Sequence, residues 1–352
     1  MLFDAEFRNL DLLRAVAATL VLLSHTLLVM AAAGYIDLAS PSIFKMQMHG
    51  LGRVGVLMFF VHTALVLLYS LARNENGRWM RNFYIRRVFR IFPLNAACVL
   101  LVLLFKVPYS PPESYISLSW AEIVSNLLLV QNIVGFRDVI SPLWTLPREF
   151  QMYIVLPFIF LALKRIPSNL FIIVLSLIFL ALTPVIPLLS CFPCFMGGVL
   201  AYQISKEGTF GLPALVWPAA LGLLTVTYVA AGTFVLSDAR TDFLTCMFLG
   251  GLIPNIKELR PSSLTRASHL VAKYSFGIYL CHDPLLWFSF VKLNASPPAL
   301  QWLVFITLVT SIPLFAYHFI ELPMIQFGHR LTDRLSSDSG VELVLGKSPA
   351  RC

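Results

Sequence analysis

The chain has 352 residues, of which 58% are hydrophobic and only 12% are charged, and its mean hydropathy is +0.80. This composition excludes a single water-soluble globule and indicates an integral membrane protein. The net charge of +8 does not indicate nucleic-acid binding, because the basic residues lie between apolar runs and are not gathered in one water-facing patch.

Apolar segments long enough to cross a hydrocarbon core of about 30 Å, about 20 residues each, recur along the chain. We predict about ten transmembrane helices and therefore an all-α, polytopic fold. The predicted spans are 10–33, 52–71, 88–105, 146–163, 170–186, 188–204, 213–232, 243–256, 272–291 and 300–320. The segment 120–134 is amphipathic and short, and we interpret it as interfacial or re-entrant. We assign residues 1–323 to the membrane domain and 324–352 to a short cytoplasmic tail.

The distribution of Lys and Arg supports this count, because cytoplasmic loops are enriched in both. With the N-terminus in the cytoplasm, 19 of the 26 basic residues fall on the cytoplasmic side. An eleventh crossing at 120–134 would move the later loops to the wrong side. We therefore predict a multi-pass protein with both termini in the cytoplasm.

Ionisable residues inside the first span, RNLDLLRAVAATLVLLSHTLL, form the first candidate site. Arg14 and His25 are eleven residues apart, which places them on one helix face and about 16 Å apart along the axis. Such groups in a membrane span are costly unless they line a cavity, so they mark candidate functional residues. The alternatives are a snorkelling anchor for Arg14, with Asp11 as its partner, and a structural hydrogen bond for His25.

A second set of charges opens the third span in WMRNFYIRRVFRIFP. Arg87 and Arg90 are one helical turn apart and can converge on a single anionic group, for which phosphate is the natural candidate. The alternative is a topology signal in which the arginines contact anionic lipid headgroups.

A third set lies at the outer end of the fourth span in SPLWTLPREFQMYIVLP. Glu149 and Tyr153 are one turn apart, and a glutamate there can hold a histidine in its reactive tautomer or act as a base. The alternative is an interfacial aromatic belt containing Trp144, with an Arg148–Glu149 pair.

The sequence CFPC, with Cys191 and Cys194, has the spacing of a redox motif but lies inside an apolar stretch. We expect these cysteines to behave as small buried hydrophobic residues. No zinc ligand set is visible, and we predict no metal site.

Six motifs, in order over residues 8–323, resemble the membrane acyltransferase-3 family: RNLDLLRAVAATLVLLSH, GRVGVLMFFV, FYIRRVFRIFP, LWTLPREFQMYIVLP, SFGIYLCHDPL and FIELP. The resemblance implies a bacterial inner-membrane enzyme that transfers acetyl or short acyl groups from acyl-coenzyme A to hydroxyls of exopolysaccharide, lipopolysaccharide or oligosaccharide acceptors. The acyl-coenzyme A is a co-substrate, so no permanently bound cofactor is expected. Partners would be acyl-coenzyme A, a carbohydrate or glycolipid and membrane lipids, but no nucleic acid.

The family's arginine–ten residues–histidine motif falls on Arg14 and His25, its paired arginines on Arg87 and Arg90, and its Trp and Glu motif on Trp144 and Glu149. One departure is FFVHTALVL, where the family usually has FFVxSG. His62 and Thr63 replace a small polar pair there and would reshape the acyl or acceptor pocket. A catalytic His62 is the less favoured alternative. His282, in YLCHDP, is expected to pack or hydrogen-bond within the bundle.

The layout and the resemblance predict a donor site at the cytoplasmic mouth. Arg14, Arg87 and Arg90 would hold the coenzyme A phosphates, with Asp11 positioning Arg14. Arg14 is also counted among the catalytic residues.

The reactive group is predicted to be His25, as a general base on a sugar hydroxyl or as a transient acyl carrier. Glu149, also counted as catalytic, would orient or charge-balance His25. Trp144 would stack on a sugar ring, and Tyr153 is the second candidate substrate-binding residue.

Two other functional classes remain open from the sequence. Intramembrane His, Arg and Glu also occur in proton-coupled transporters of small solutes. A non-catalytic membrane sensor or scaffold is the third class, in which loss of Arg14 or His25 would leave the phenotype unchanged.

Overall fold

The computed structural model describes residues 7–36, 40–73, 78–109, 115–234 and 238–345. Within these ranges the chain forms α-helices joined by short 3₁₀ and π-helical turns, and its one isolated bridge joins Leu212 to Ile256. The helices are α1 (Arg8–Ala32), α2 (Pro41–Arg73), α3 (Trp79–Phe105), α4 (Trp120–Leu127), α5 (Gln131–Val134), α6 (Leu146–Arg165), α7 (Asn169–Leu182), α8 (Phe192–Glu207), α9 (Val216–Phe234), α10 (Ala239–Leu252), α11 (Ser263–Leu286), α12 (Pro298–Ala316) and α13 (Leu322–Leu345).

The predicted all-α, polytopic membrane fold is confirmed, and each of the ten predicted spans coincides with one of the helices. Six helical segments of the described chain are long and apolar enough to cross a membrane by length and composition. They are Arg8–Ala32, Pro41–Arg73, Trp79–Phe105, Ser141–Arg165, Pro187–Glu207 and Pro298–Leu335. The number of crossings, ten, therefore stays a prediction.

Helices α1 and α11 pair in parallel along a line of polar contacts. Asp11 Oδ2 lies 2.8 Å from His269 Nδ1, Arg14 Nε donates to Ser275 Oγ at 2.6 Å, and His25 Nδ1 lies 2.8 Å from Asp283 Oδ1. The two helices thus run in the same direction, so an odd number of crossings lies between them. The ten-span topology has this parity, whereas an eleventh crossing at 120–134 would make the two helices antiparallel.

The segment 120–134 forms α4 and α5, of eight and four residues, and neither is long enough to span a membrane. A capping box formed by Ser119 and Glu122 begins α4. Asn126 then ties the following loop to α4, because its side chain donates to the carbonyl of Arg137 at 2.8 Å and accepts from the amide of Val139 at 3.0 Å.

Helix α2 is, together with α8, the most deeply packed of the membrane-length segments, and its glycines set how closely α1 approaches it. A Cβ at Gly55 would come within 2.7 Å of the carbonyl oxygen of Ala17, and one at Gly52 within 2.8 Å of Ser24 Oγ. Close backbone approach at small residues gives van der Waals packing, which stabilises helix pairs where no hydrophobic effect operates between them. The position of α2 against α1 is therefore fixed at these residues.

Residues beyond the predicted boundary at 323 continue as α13, which follows α12 through a π-helical segment, Tyr317–Glu321. Two of the arginines of α3 hold α13. Arg81 donates to the carbonyl of Leu335 at 3.2 Å, and Arg86 Nε donates to Thr332 Oγ1 at 3.2 Å. The start of the predicted tail is therefore a helix that packs along α3.

Candidate active site

Two of the cavities in the described structure lie one toward each end of α1. The arginine cavity, of about 110 Å³, is lined by Arg14, Arg87, Arg90, Glu149 and Tyr153 among others. The histidine cavity, of about 860 Å³, is lined by residues that include His25, His49, Arg53, Trp144 and Asp283. In the predicted topology the arginine cavity lies toward the cytoplasm and the histidine cavity toward the outer face.

The two cavities are adjacent. Two of the described residues, Val56 of α2 and Tyr279 of α11, line both of them. The Tyr279 hydroxyl donates to the carbonyl of Pro142 at 3.1 Å and lies 2.8 Å from Thr145 Oγ1.

The arginine cavity brings together the three arginines that the sequence assigned to a donor site. Arg14 is anchored to Ser275, and Arg90 Nη1 lies 3.4 Å from Glu321 Oε2. The Nε of Arg87 is buried without a hydrogen-bond partner in the described part of the structure. A buried, unpaired guanidinium N–H is a donor suited to an anionic ligand.

Glu149 also lies in the arginine cavity, so the expected contact between Glu149 and His25 is wrong. Its carboxylate accepts from the hydroxyls of Tyr153 and Thr63, the latter at 3.4 Å. The reason is the 3₁₀ segment Ser141–Thr145, whose buried Leu143 and Thr145 carry the chain into the bundle before α6 begins. The first turn of α6 thereby reaches the depth of the arginine cavity.

His25 is oriented instead by Asp283, an aspartate that the sequence reasoning overlooked. Asp283 is 1% exposed, and its Oδ1 lies 2.8 Å from His25 Nδ1. A carboxylate that accepts from Nδ1–H fixes the tautomer in which Nε2 carries the lone pair. Its presence in the site could have been predicted, because Asp283 is a carboxylate inside the apolar predicted span 272–291 and directly follows His282.

His282 completes a compact cluster with His25 and Asp283. Its Nδ1 donates to the carbonyl of Tyr279 at 2.7 Å, and its Nε2 lies 3.3 Å from Asp283 Oδ1. Three candidate ligand atoms of this cluster lie within 4.8 Å of one another. In a tetrahedral zinc site with bonds of about 2.1 Å, two ligand atoms lie about 3.4 Å apart. The distance of 2.8 Å between His25 Nδ1 and Asp283 Oδ1 is shorter than that and is the length of a hydrogen bond.

Trp144 lines the histidine cavity, but its ring already contacts two guanidinium groups. The guanidinium carbons of Arg53 and Arg148 each lie 5.1 Å from the ring centroid. Arg53 is held in turn by Asp242, to which its Nε donates at 2.9 Å, and Asp242 accepts from the Tyr228 hydroxyl at 2.5 Å. Sugar stacking on Trp144 would therefore compete with cation–π contacts.

Tyr153 lies in the arginine cavity, away from Trp144, so the two predicted substrate-binding residues do not share a cavity. His62 also lines the arginine cavity, so it is separated from His25. Cys191 and Cys194 are buried free thiols.

Asp11 does not position Arg14, contrary to expectation, because its carboxylate pairs with His269 while Arg14 is held by Ser275. Three residues of a helix rise about 4.5 Å along its axis, so Asp11 and Arg14 lie at different levels beside α11. Each of the two side chains therefore meets a different residue of α11.

Comparison with known proteins decides the family. The sequence model described as "Acyltransferase domain", of the acyltransferase-3 family, matches residues 7–318. The chain belongs to the acyltransferase-3 family. It is also 32% identical over 128 residues to the protein named acyltransferase MdmB from Streptomyces mycarofaciens.

The alignment with MdmB covers 33% of this chain and 30% of MdmB, so it spans about a third of either protein. No solved structure matches the chain. The acyltransferase-3 match, in contrast, covers α1 to α12 and includes every candidate residue of both cavities.

Proposed function

We propose that this acyltransferase-3 family member is a membrane-embedded O-acyltransferase, which moves an acetyl or short acyl group from acyl-coenzyme A to a hydroxyl of a carbohydrate acceptor. The supporting observation is that an arginine-lined cavity and a histidine–aspartate pair lie on opposite sides of one shared boundary, Val56 and Tyr279. This arrangement suits a reaction whose donor and acceptor arrive from opposite faces of a membrane.

The donor site of the proposal is the arginine cavity. Arg14, Arg87 and Arg90 bring three positive charges to it, and Glu149 and Glu321 oppose them with only two carboxylates. Phosphate oxygens are the acceptors that guanidinium groups bind best. The phosphates of coenzyme A would be bound there, and the thioester arm would extend past Val56 and Tyr279.

The reacting group of the proposal is His25. Its Nε2 would take the proton of the acceptor hydroxyl while the hydroxyl oxygen attacks the thioester carbonyl carbon. The carbon–sulfur bond then breaks, and the imidazolium returns its proton to the coenzyme A thiolate. Asp283 would stabilise the imidazolium between these two steps. The alternative route, in which His25 Nε2 carries the acyl group first, places the same nitrogen at the same carbon.

The acceptor would enter the histidine cavity, whose volume of about 860 Å³ is within the range for sites that enclose small organic ligands. Arg53 and Trp144 line it together with Asp242. These groups offer both hydrogen-bond donors and acceptors to a hydroxyl-rich molecule. The proposed location is a bacterial inner membrane, with the arginine cavity on the cytoplasmic side.

The experiment compares two histidines that pair with aspartates across the same two helices at the same distance of 2.8 Å, His25 with Asp283 and His269 with Asp11. Purified protein in liposomes receives radiolabelled acetyl-coenzyme A and envelope glycan isolated from a deletion strain, and label in glycan is counted. We expect His25→Ala to abolish transfer and His269→Ala to retain it.

Equal loss in the two variants, or solute movement down a gradient with no consumption of acetyl-coenzyme A, would contradict the proposal. The second outcome would favour the transporter. Mass spectrometry of the glycan from the complemented deletion strain identifies the acceptor by its added acyl mass.

A further inference from the structure

The two cavities meet at two buried side chains. Val56 is 5% exposed and Tyr279 is 8% exposed, so little of either side chain is open to the cavities that both residues line. Because these are the described residues common to both cavities, a group that moves from the arginine cavity to His25 would pass beside them.

Both of these side chains are held in place. Val56 follows Gly55, where α2 packs so closely on α1 that a Cβ would lie 2.7 Å from the carbonyl oxygen of Ala17. This close packing fixes the position of Val56. The Tyr279 hydroxyl is fixed by Pro142 and Thr145, and its ring packs edge-to-face on Phe59 with centroids 5.7 Å apart. A passage lined by tightly packed side chains selects groups by their width, because these side chains cannot move apart for a wider group without losing packing contacts.

We propose that Val56 and Tyr279 select the acyl group by its width, so that unbranched acyl chains reach His25 and chains branched next to the carbonyl do not. The inference rests on the proposed function. The end of the pantetheine arm is itself an unbranched chain, and a passage that admits it also admits an unbranched acyl chain. A methyl branch widens the group at the point where it passes Val56.

Chain length is a weaker criterion than width at this position. Once past these two side chains, an unbranched chain enters the histidine cavity, whose volume of about 860 Å³ leaves room beside an acceptor. The structure therefore assigns width selection to Val56 and Tyr279, while tolerance of length is set by the histidine cavity.

The test uses butyryl-coenzyme A and isobutyryl-coenzyme A, which have the same atoms and differ only in branching. Release of coenzyme A thiol by purified protein in liposomes is measured with each donor, in the presence of the envelope glycan. For the wild type we expect a butyryl preference of about tenfold or more, the size that one methylene confers in a closely fitting pocket.

Val56→Ala removes two methyl groups from the wall and is expected to lower that preference at least about fivefold. Val56→Ile adds a methylene and is expected to raise it. Val54→Ala is the matched control, because Val54 is fully buried on the same helix and lines neither cavity. We expect Val54→Ala to keep the wild-type preference whatever its effect on total yield.

A wild-type enzyme that uses the two isomers equally would overturn the inference while leaving the acyltransferase function intact. So would a preference that is unchanged in Val56→Ala, or that shifts equally in Val54→Ala. If neither thioester is consumed, or if their consumption is the same in His25→Ala, both the proposed function and the inference are wrong.

Discussion

Replacing Asp283 with asparagine tests whether the carboxylate acts through its charge. Asparagine keeps a carbonyl oxygen that can accept from His25 Nδ1, so the ring orientation can survive while the negative charge is lost. In the wild type an imidazolium would face the carboxylate across the 2.8 Å contact. Charges about 4 Å apart at an effective dielectric constant of about 20 attract each other by about 4 kcal/mol, which corresponds to a factor of about 10³ in rate.

The assay is single-turnover release of coenzyme A thiol from acetyl-coenzyme A by protein in liposomes, with envelope glycan in excess. We expect Asp283→Asn to lower the rate about 10³-fold, toward the level of His25→Ala. The double variant should be no slower than His25→Ala alone, because the two residues act as one unit.

Asp11→Asn is the matched control for this prediction. Its pair with His269 has the same length, but Asp11 is 32% exposed at its side chain whereas Asp283 is 2% exposed. Solvent screens an exposed pair, and Asp11 lines neither cavity, so we expect a change of less than about twofold. A rate within about threefold of wild type for Asp283→Asn, or an equal loss in Asp11→Asn, would refute the reasoning.

Two further predictions address the proposed donor site and the loop around α4. In steady-state kinetics, Arg87→Ala should raise the KM for acetyl-coenzyme A about 10- to 100-fold, because a hydrogen bond to a charged group contributes about 1.5–3 kcal/mol. The side chain of Arg86 contacts α13, so Arg86→Ala is the control and should leave this KM unchanged. Equal KM values in the two variants would contradict the proposed donor site. In the loop around α4, Arg137 and the Ser119 amide hold the pKa of Glu122 down to about 2. The contact therefore stabilises the loop fully at pH values above the usual carboxyl range, and this stabilisation is lost as the pH falls through about 2. Glu122→Gln should therefore speed hydrogen exchange over residues 117–139 at neutral pH, and unchanged exchange would show that the contact does not hold the loop.

The arginine cluster of α3 shows how far a linear motif can be interpreted. Its spacing predicted that Arg87 and Arg90 converge, and both line the arginine cavity. Arg81 and Arg86 belong to the same motif but bind α13. Helical periodicity states which side chains share a face, but it does not state which neighbouring helix that face meets.

The position of Glu149 shows a second limit. Its sequence context placed it at the outer end of a span, where it would have met His25. The 3₁₀ segment Ser141–Thr145 carries it deeper, into the arginine cavity. A loop rich in Pro and Ser has no periodic pattern from which such a re-entry can be read.

The sequence by itself determined the membrane class, the positions of the apolar helices and the shared face of Arg14 and His25, because composition and the 3.6-residue period are local properties. Tertiary structure alone decided the partners on that face: Ser275 for Arg14, His269 for Asp11 and Asp283 for His25. Each of these contacts joins residues more than 250 positions apart in the chain. Such contacts depend on which helices pack together and in which register, and the close approach of small residues between helices sets that register.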